Sequence, residues 1–288
     1  FGGDVYSFYK TTTEPIQLNM GSQISELING GVSLMTFFGH ASSTGFDINI
    51  DSPADYNNEG KYPLLIGNSC YTGNIHLQTT NSASEVFVLA PNAGTIGFIA
   101  KPDLGAPTYL NIWTENFYRQ LFQQSYGASI GQCMQRAVQA FQTPNQTLFN
   151  TNTVLTFSLH GDPALVLNSA TLPDYSIEID EVLFEPENVT NELETFDVKV
   201  VVNNIGKATN TPFSVELIRH LPNGIDTSLV QQVDAIYFRD TVTFTLPIDP
   251  INGIGLNLFD VFVDYPSQLV DELNDISKVT VVHLRAIL

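Results

Sequence analysis

Two stretches decide the fold: SLMTFFGHASSTG at residues 33–45 and YPLLIGNSCYTGN at residues 62–74. Each opens on an apolar run, Leu34 to Phe38 in the first and Pro63 to Ile66 in the second. Each then closes on small residues around one reactive side chain. Apolar runs without alternation suit parallel strands buried on both faces. Open α/β sheets keep their sites at the carboxyl ends of such strands. The side chains delivered there are those of His40 and Cys70, in loops of Gly, Ser, Thr and Asn that let another backbone approach closely. Either residue alone reads more readily as core filler or an ordinary histidine. Together, each ending an apolar strand, they predict an imidazole and a thiol over one edge of a sheet. A Cys/His nucleophilic site requires that arrangement.

Working outward, strands and helices alternate. DVYSFYK at 4–10 reads as a strand, and Ser22 as the cap of a short helix over 23–29 that Gly30-Gly31 stops. The polar excursion FDINIDSPADYNNEGK, 46–61, has no helical period and is either a surface loop or a wall of a substrate cleft. After the Cys strand, Ser84 caps a brief helix over 85–90, and GTIGFIA at 94–100 is a strand. An amphipathic helix over 108–124 places Tyr109, Ile112, Phe117 and Leu121 on one face, widened by Trp113 and Tyr118. A second, over 129–142, gathers Ile130, Cys133, Ala137, Val138 and Phe141. The strand VLTFSL, 154–159, leads into His160-Gly161-Asp162-Pro163. The alternation predicts an α/β domain with a largely parallel sheet and right-handed crossovers.

Near Leu172-Pro173 the chain changes character. Up to Leu172 there are 11 acids and 5 bases, a net of −6; from Pro173 there are 19 acids and 6 bases, a net of −13. The boundary therefore divides the chain into 1–172 and 173–288. Beyond it, seven strand-like runs follow: SIEIDEVLF, FDVKVVVNNIG, FSVELIRHL, LVQQVDAIYF, DTVTFTLPI, GLNLFDVFVDY and KVTVVHL. Many alternate apolar with polar residues and most are separated by Asn, Gly, Pro or Asp, which predicts an all-β immunoglobulin-like sandwich.

Composition bounds the function. Hydrophobic residues make up 43% of the 288, so the chain is globular. Its net charge of −19 argues against nucleic-acid binding, which wants a basic face. No stretch approaches the roughly 20 apolar residues of a membrane helix. Two cysteines make no disulfide framework, and Cys133, beside Met134 in a helical pattern, reads as core. The acidic surface suits a secreted or surface protein and leaves room for structural calcium. The chain begins Phe-Gly-Gly without methionine, which reads as an excerpt or processed product.

GH followed by a small residue after one strand, with a Cys after the next, resembles the caspase-like arrangement of clan CD cysteine peptidases. FFGHASSTGFDI with IGNSCYTGNIH resembles the gingipain family, and within it the sortase-like peptidases of the type IX secretion system. LHGDPALVL, 159–167, is similar to the Gly-Asp-Pro segment that closes the catalytic domain there. One departure is Ala41, where the family usually has Gly. A caspase-like sheet has more strands than this sequence supplies, which implies that part of the domain lies upstream of Phe1. VVVNNIGKATN with FVDYPSQLVDELND resembles the cell-adhesion-related domain of bacterial surface proteins, a module rather than a chemistry.

The resemblance implies a cysteine-type endopeptidase acting on protein or peptide substrates, with Cys70 as nucleophile and His40 as base. It implies an oxyanion hole from the backbone N–H groups of Cys70 and Ala41, the second surviving only if Ala41 avoids positive φ. Asp47 is the candidate for orienting His40; it reads equally as loop or metal-binding. His76 and His160 follow turn residues and are poorer bases. No cofactor is required. The branch implies transfer of the acyl group to an amine, location outside the cell or on the outer membrane of a Bacteroidetes-type bacterium, and partners among secretion or cell-surface components. The competing reading is a non-catalytic surface or adhesion protein with a decayed caspase-like domain; Ala41 and the adhesion-like module leave room for it.

Overall fold

Strand β2, Leu64–Asn68, is buried along its whole length, and its neighbours in sequence face opposite sides of the sheet. Leu64 and Ile66 join one apolar cluster while Leu65 joins another, which is why the run shows no alternation. The computed structural model describes residues 5–11, 13, 20–50, 53–141, 147–167, 170–264 and 283–287. The chain divides into two units, Tyr6–Ser169 and a second made of Phe1–Val5 with Ala170–Leu288.

In the first unit, β1 (Leu34–Phe38), β2, β3 (Gly97–Ala100) and β4 (Ser158–Gly161) lie in the order β1-β2-β3-β4. The first three are parallel and β4 runs antiparallel to β3. Leu64, Ile66 and Ile99 pack against α3 (Pro107–Arg119) and α4 (Ile130–Phe141) through Trp113, Phe117, Cys133 and Ala137. The opposite face, Leu65, Phe98 and Ala100, packs against Ile28 of α1 (Gly21–Gly30) and Phe87 of α2 (Ala83–Val88). Phe46, Ile50 and Tyr56 fill the same face, so much of the polar excursion is tied down by its apolar minority rather than lying loose on the surface.

Several local expectations are corrected. Helix α1 starts at Gly21 after Met20, so Ser22 lies inside it rather than capping it. The cap of α2 is Ser82, whose spacing of three to Glu85 makes a capping box; Ser84 is buried within the helix. On α3 the buried face is Leu110, Trp113, Thr114 and Phe117, whereas Ile112 is exposed. Trp113 stacks between Phe117 and Phe157, with ring centroids 5.4 and 4.0 Å away. From Gln120 to Gln124 the helix widens into a π turn. Half of the expected strand over 154–159 is helix: residues 154–156 belong to α5, Leu148–Thr156, which Thr147 caps by accepting from the Asn150 N–H. Only Ser158–Gly161 pairs, because β3 offers just four residues to pair with. Residues 5–10 form no strand.

The Gly-Asp-Pro segment has a structural task. The N–H groups of Ile130 and Gly131, unsatisfied at the start of α4, donate to the carbonyls of Leu165 and Pro163 at 2.8 and 2.9 Å. A Cβ on Gly131 would stand 2.7 Å from the Cβ of Pro163, so glycine is what lets the two segments meet.

The second unit holds two four-stranded antiparallel sheets. One contains β5 (Tyr175–Ser176), β6 (Val182–Glu185), β7 (Thr195–Asn204) and β10 (Arg239–Pro247); β5, β6 and β10 all pair with β7. The other has the order β12-β11-β8-β9, from β8 (Phe213–His220), β9 (Asp226–Val233), β11 (Gly255–Asp264) and β12 (His283–Ile287). Alternate residues of both sheets, such as Val198, Val200, Phe213, Val215, Phe244 and Val261, merge in one apolar cluster. The first expected run splits into β5 and β6 around the turn Ile179–Glu181. Residues 265–282, which carry most of the adhesion-like FVDYPSQLVDELND and the start of the last run, lie outside the described residues.

Candidate active site

Phe38 of β1 pairs with Asn68 of β2. His40 and Cys70 each follow two residues later, and the Gly39 N–H still donates to the Asn68 carbonyl at 3.3 Å. The two side chains therefore leave neighbouring strands, about 4.8 Å apart, at the same carboxyl edge.

The turn after Cys70 is held from several sides. Ser69 N–H turns back to Gly67 O at 3.0 Å, and the hydroxyls of Ser69 and Thr72 meet at 3.3 Å. Tyr71 has φ +62, a left-handed conformation unusual for a bulky residue and of a kind that collects at functional sites. Its N–H donates to Asp103 O at 2.9 Å, and that of Gly73 to Lys101 O at 2.8 Å. Neither bond uses the N–H of Cys70. The sulfur is half-buried and accepts from the Gly105 N–H at 3.4 Å. A Cβ on Gly105 would fall 2.7 Å from Leu110 Cδ1 and 3.0 Å from Ser69 O.

On the other strand, His40 is exposed and Ala41 bridges antiparallel to Phe46. The bonds of that bridge run from Ser42 N–H to Gly45 O and from Asp47 N–H to His40 O, so the N–H of Ala41 is not spent in it. Among described non-glycine residues only Tyr71 and Asn92 have positive φ, so the methyl group of Ala41 causes no backbone strain. Asp47 is bonded to His40 through its main chain, while its carboxylate sits 3.3 Å from Lys10 Nζ.

The remaining candidates lie elsewhere. Cys133 is free like Cys70 but fully buried, and burial pushes its thiol up. His76 is exposed beside Asn74. His160 pairs with Phe98 in β4, shares a 3.0 Å bond between Nε2 and Ser158 Oγ, and is pulled down by burial. Among the described residues, no group of three or more His, Cys, Asp and Glu side chains is placed to hold a metal ion. None of their helices is long and apolar enough to cross a membrane.

Sequence reasoning missed the loop at 101–105. Lys101 is fully buried, paired with Asp103 at 3.1 Å, hydrogen-bonded to Thr156 Oγ1 and 5.6 Å from the Phe157 ring centroid. Burial pulls this lysine down, and Asp103 opposes the pull. The readable signal was a lysine directly after an apolar strand, with an acid two positions on.

The profile of peptidase family C25 matches residues 2–168. The chain belongs to peptidase family C25. Among solved structures, this C25 chain is similar to the complex of Porphyromonas gingivalis RgpB pro- and mature domains, at 15% identity and TM-score 0.45; the match takes in 93% of this chain and 57% of that one. A structure described as a protease matches at 13% identity and TM-score 0.43, over 90% of this chain and 55% of its own. The chain thus spans little more than half the length of either. The CARDB domain of a Pyrococcus furiosus protein, in complex with di-metal ions, matches 41% of this chain and 91% of its own at 18% identity and TM-score 0.28. A comparison with curated proteins gave no match.

Proposed function

We propose that this C25 chain is a cysteine endopeptidase in which Cys70 is the nucleophile and His40 the base. The observation that carries the reading is the pairing of β1 with β2, which sets both residues at one carboxyl edge. His40 takes the thiol proton as sulfur bonds to the scissile carbonyl carbon. The carbonyl oxygen, now negative, is received by the N–H groups of Cys70 and Ala41. The C–N bond then breaks, His40 returns its proton to the leaving amine, and a thioester on Cys70 remains. Water attacks the thioester to regenerate the thiol. Asp47 orients His40 in this scheme through the loop it shares with it, its carboxylate being held by Lys10.

The finer reading is a sortase-like member in which an amine competes with water for the thioester. It is supported by FFGHASSTGFDI and CYTGNIH, which resemble that branch. The second unit is then an immunoglobulin-like spacer or docking module of cell-adhesion-related type, and the protein works outside the cell or on a bacterial outer membrane. The two antiparallel sheets around one core support such a module.

A thiol-directed peptide electrophile tests the peptidase reading. Selective labelling of Cys70 over Cys133, lost in Cys70→Ala, is the expected result. Absence of labelling in the folded chain would return the domain to a non-catalytic surface role. With a peptide substrate and excess amine, the sortase-like reading expects amide product alongside hydrolysis. Hydrolysis alone at every amine concentration leaves a plain endopeptidase.

A further inference from the structure

The loop after β3 reaches the sulfur, yet its charged centre takes part in none of the steps above. The side chain of Lys101 is 0% exposed. Burying an ammonium group is costly unless it is paired, and an apolar side chain of similar length would fill the space without that penalty. Here the pairing is supplied: Asp103 Oδ1 at 3.1 Å, the hydroxyl of Thr156 at the end of α5, and the face of Phe157. Three backbone N–H donors fasten the same loop to the Cys70 turn: Tyr71 N–H to Asp103 O, Gly73 N–H to Lys101 O, and Gly105 N–H to the side-chain Sγ of Cys70. The loop that buries the charge also delivers a donor to the sulfur.

We infer that Lys101 is a positioning residue for the Cys70 thiolate: its ammonium, gripped by Asp103 and Thr156, places buried positive charge beside the Cys70 turn and fixes the loop whose Gly105 N–H donates to sulfur. The inference rests on Cys70 as nucleophile. The charged and titratable groups on the elements that meet at the Cys70 turn are His40 past the end of β1, Tyr71 next in the chain, and Lys101 and Asp103 from the loop after β3. Negative charge on Cys70 favours the protonated form of Lys101. By reciprocity of linkage, the ammonium favours the thiolate. Asp103 acts oppositely on the sulfur, since its carboxylate offsets part of the lysine charge. Two variants with opposite expected signs follow.

The experiment titrates the thiolate of Cys70 by its ultraviolet absorbance in the full chain, taken as the difference from Cys70→Ala, with iodoacetamide alkylation as a second readout. Lys101→Met moves the midpoint upward and slows alkylation below it. Asp103→Asn lowers the midpoint. A lysine that only held the fold together would leave the midpoint of a folded Lys101→Met where it was. That outcome, or shifts of the same sign in both variants, overturns the inference. Should Lys101→Met fail to fold, Asp103→Asn decides alone: a downward shift supports the inference and any other result overturns it. Failure of the peptidase reading looks different. The wild-type chain then cleaves no peptide while the midpoints still move as described.

Discussion

At the scale of single residues, the two cysteines differ in surroundings more than in sequence. Cys133 is fully buried among apolar side chains, whereas Cys70 is half-buried with an N–H aimed at its sulfur. Removing His40 takes away only the proton shuttle, so His40→Ala is expected to slow peptide hydrolysis by about 10²–10⁴-fold while leaving the fold intact. Steady-state kinetics beside a circular dichroism spectrum checks this. In the second unit, His220 lies between two carboxylates, Nδ1 2.7 Å from Asp226 and Nε2 3.1 Å from Asp260. Asp226 chiefly, then Asp260, raises it above the ordinary imidazole value. A group raised on folding stabilises the fold below its unfolded pKa, and that contribution is lost as pH rises through the folded value. In an NMR titration, His220 is expected to lose its proton above the usual value near 6.5, and Asp226→Asn to bring the midpoint back toward it.

At the scale of elements, the first unit depends on a few helix ends being satisfied by specific partners. Ser82 accepts from the Glu85 N–H while the Glu85 carboxylate accepts from the Ser82 N–H. Ser82→Ala removes the hydroxyl of this box and is expected to cost about 1 kcal/mol in urea unfolding. Helix α4 begins on a reciprocal cap, the Gln132 N–H donating to Ser129 Oγ and the Ser129 N–H to Gln132 Oε1, both at 3.3 Å, and it also uses the carbonyls of Pro163 and Leu165. A methyl group at Gly131 meets Pro163 head-on, so Gly131→Ala is expected to destabilise by about 1–3 kcal/mol through displacement of that segment. A midpoint unchanged in urea would show that the segment yields without loss.

At the scale of the whole molecule, the first unit has two apolar clusters, one on each face of its sheet, and the second unit has one of its own. The Cys70 turn takes all its partners described above from the first unit: Gly67, Thr72, Lys101, Asp103 and Gly105. Deleting everything from Pro173 onward is therefore expected to leave electrophile labelling at Cys70 largely intact. Loss of labelling in a truncated protein with native helix content would show that the second unit helps to build the site.

The sequence by itself determined the parallel strands, the positions of His40 and Cys70 just past their ends and the alternating burial of strands such as β8 in the second unit. Local pattern carries this, since alternation implies burial on one face and an unbroken apolar run burial on both; the second rule holds for β2 but fails for β1, which lies at the end of the described sheet order and leaves Thr36 and Phe38 exposed. The run over 154–159 divides, because its apolar residues suit either state: the helix that Thr147 caps takes 154–156, while Ser158 and Leu159 pair with β3 as expected. Which serine capped α2 depended on the reach of Glu85. The loop at 101–105 was decided by tertiary structure alone. Nothing in KPDLG says that its lysine will be buried, or that the N–H of its glycine will find a sulfur 35 positions earlier, because both depend on β2 and β3 lying side by side.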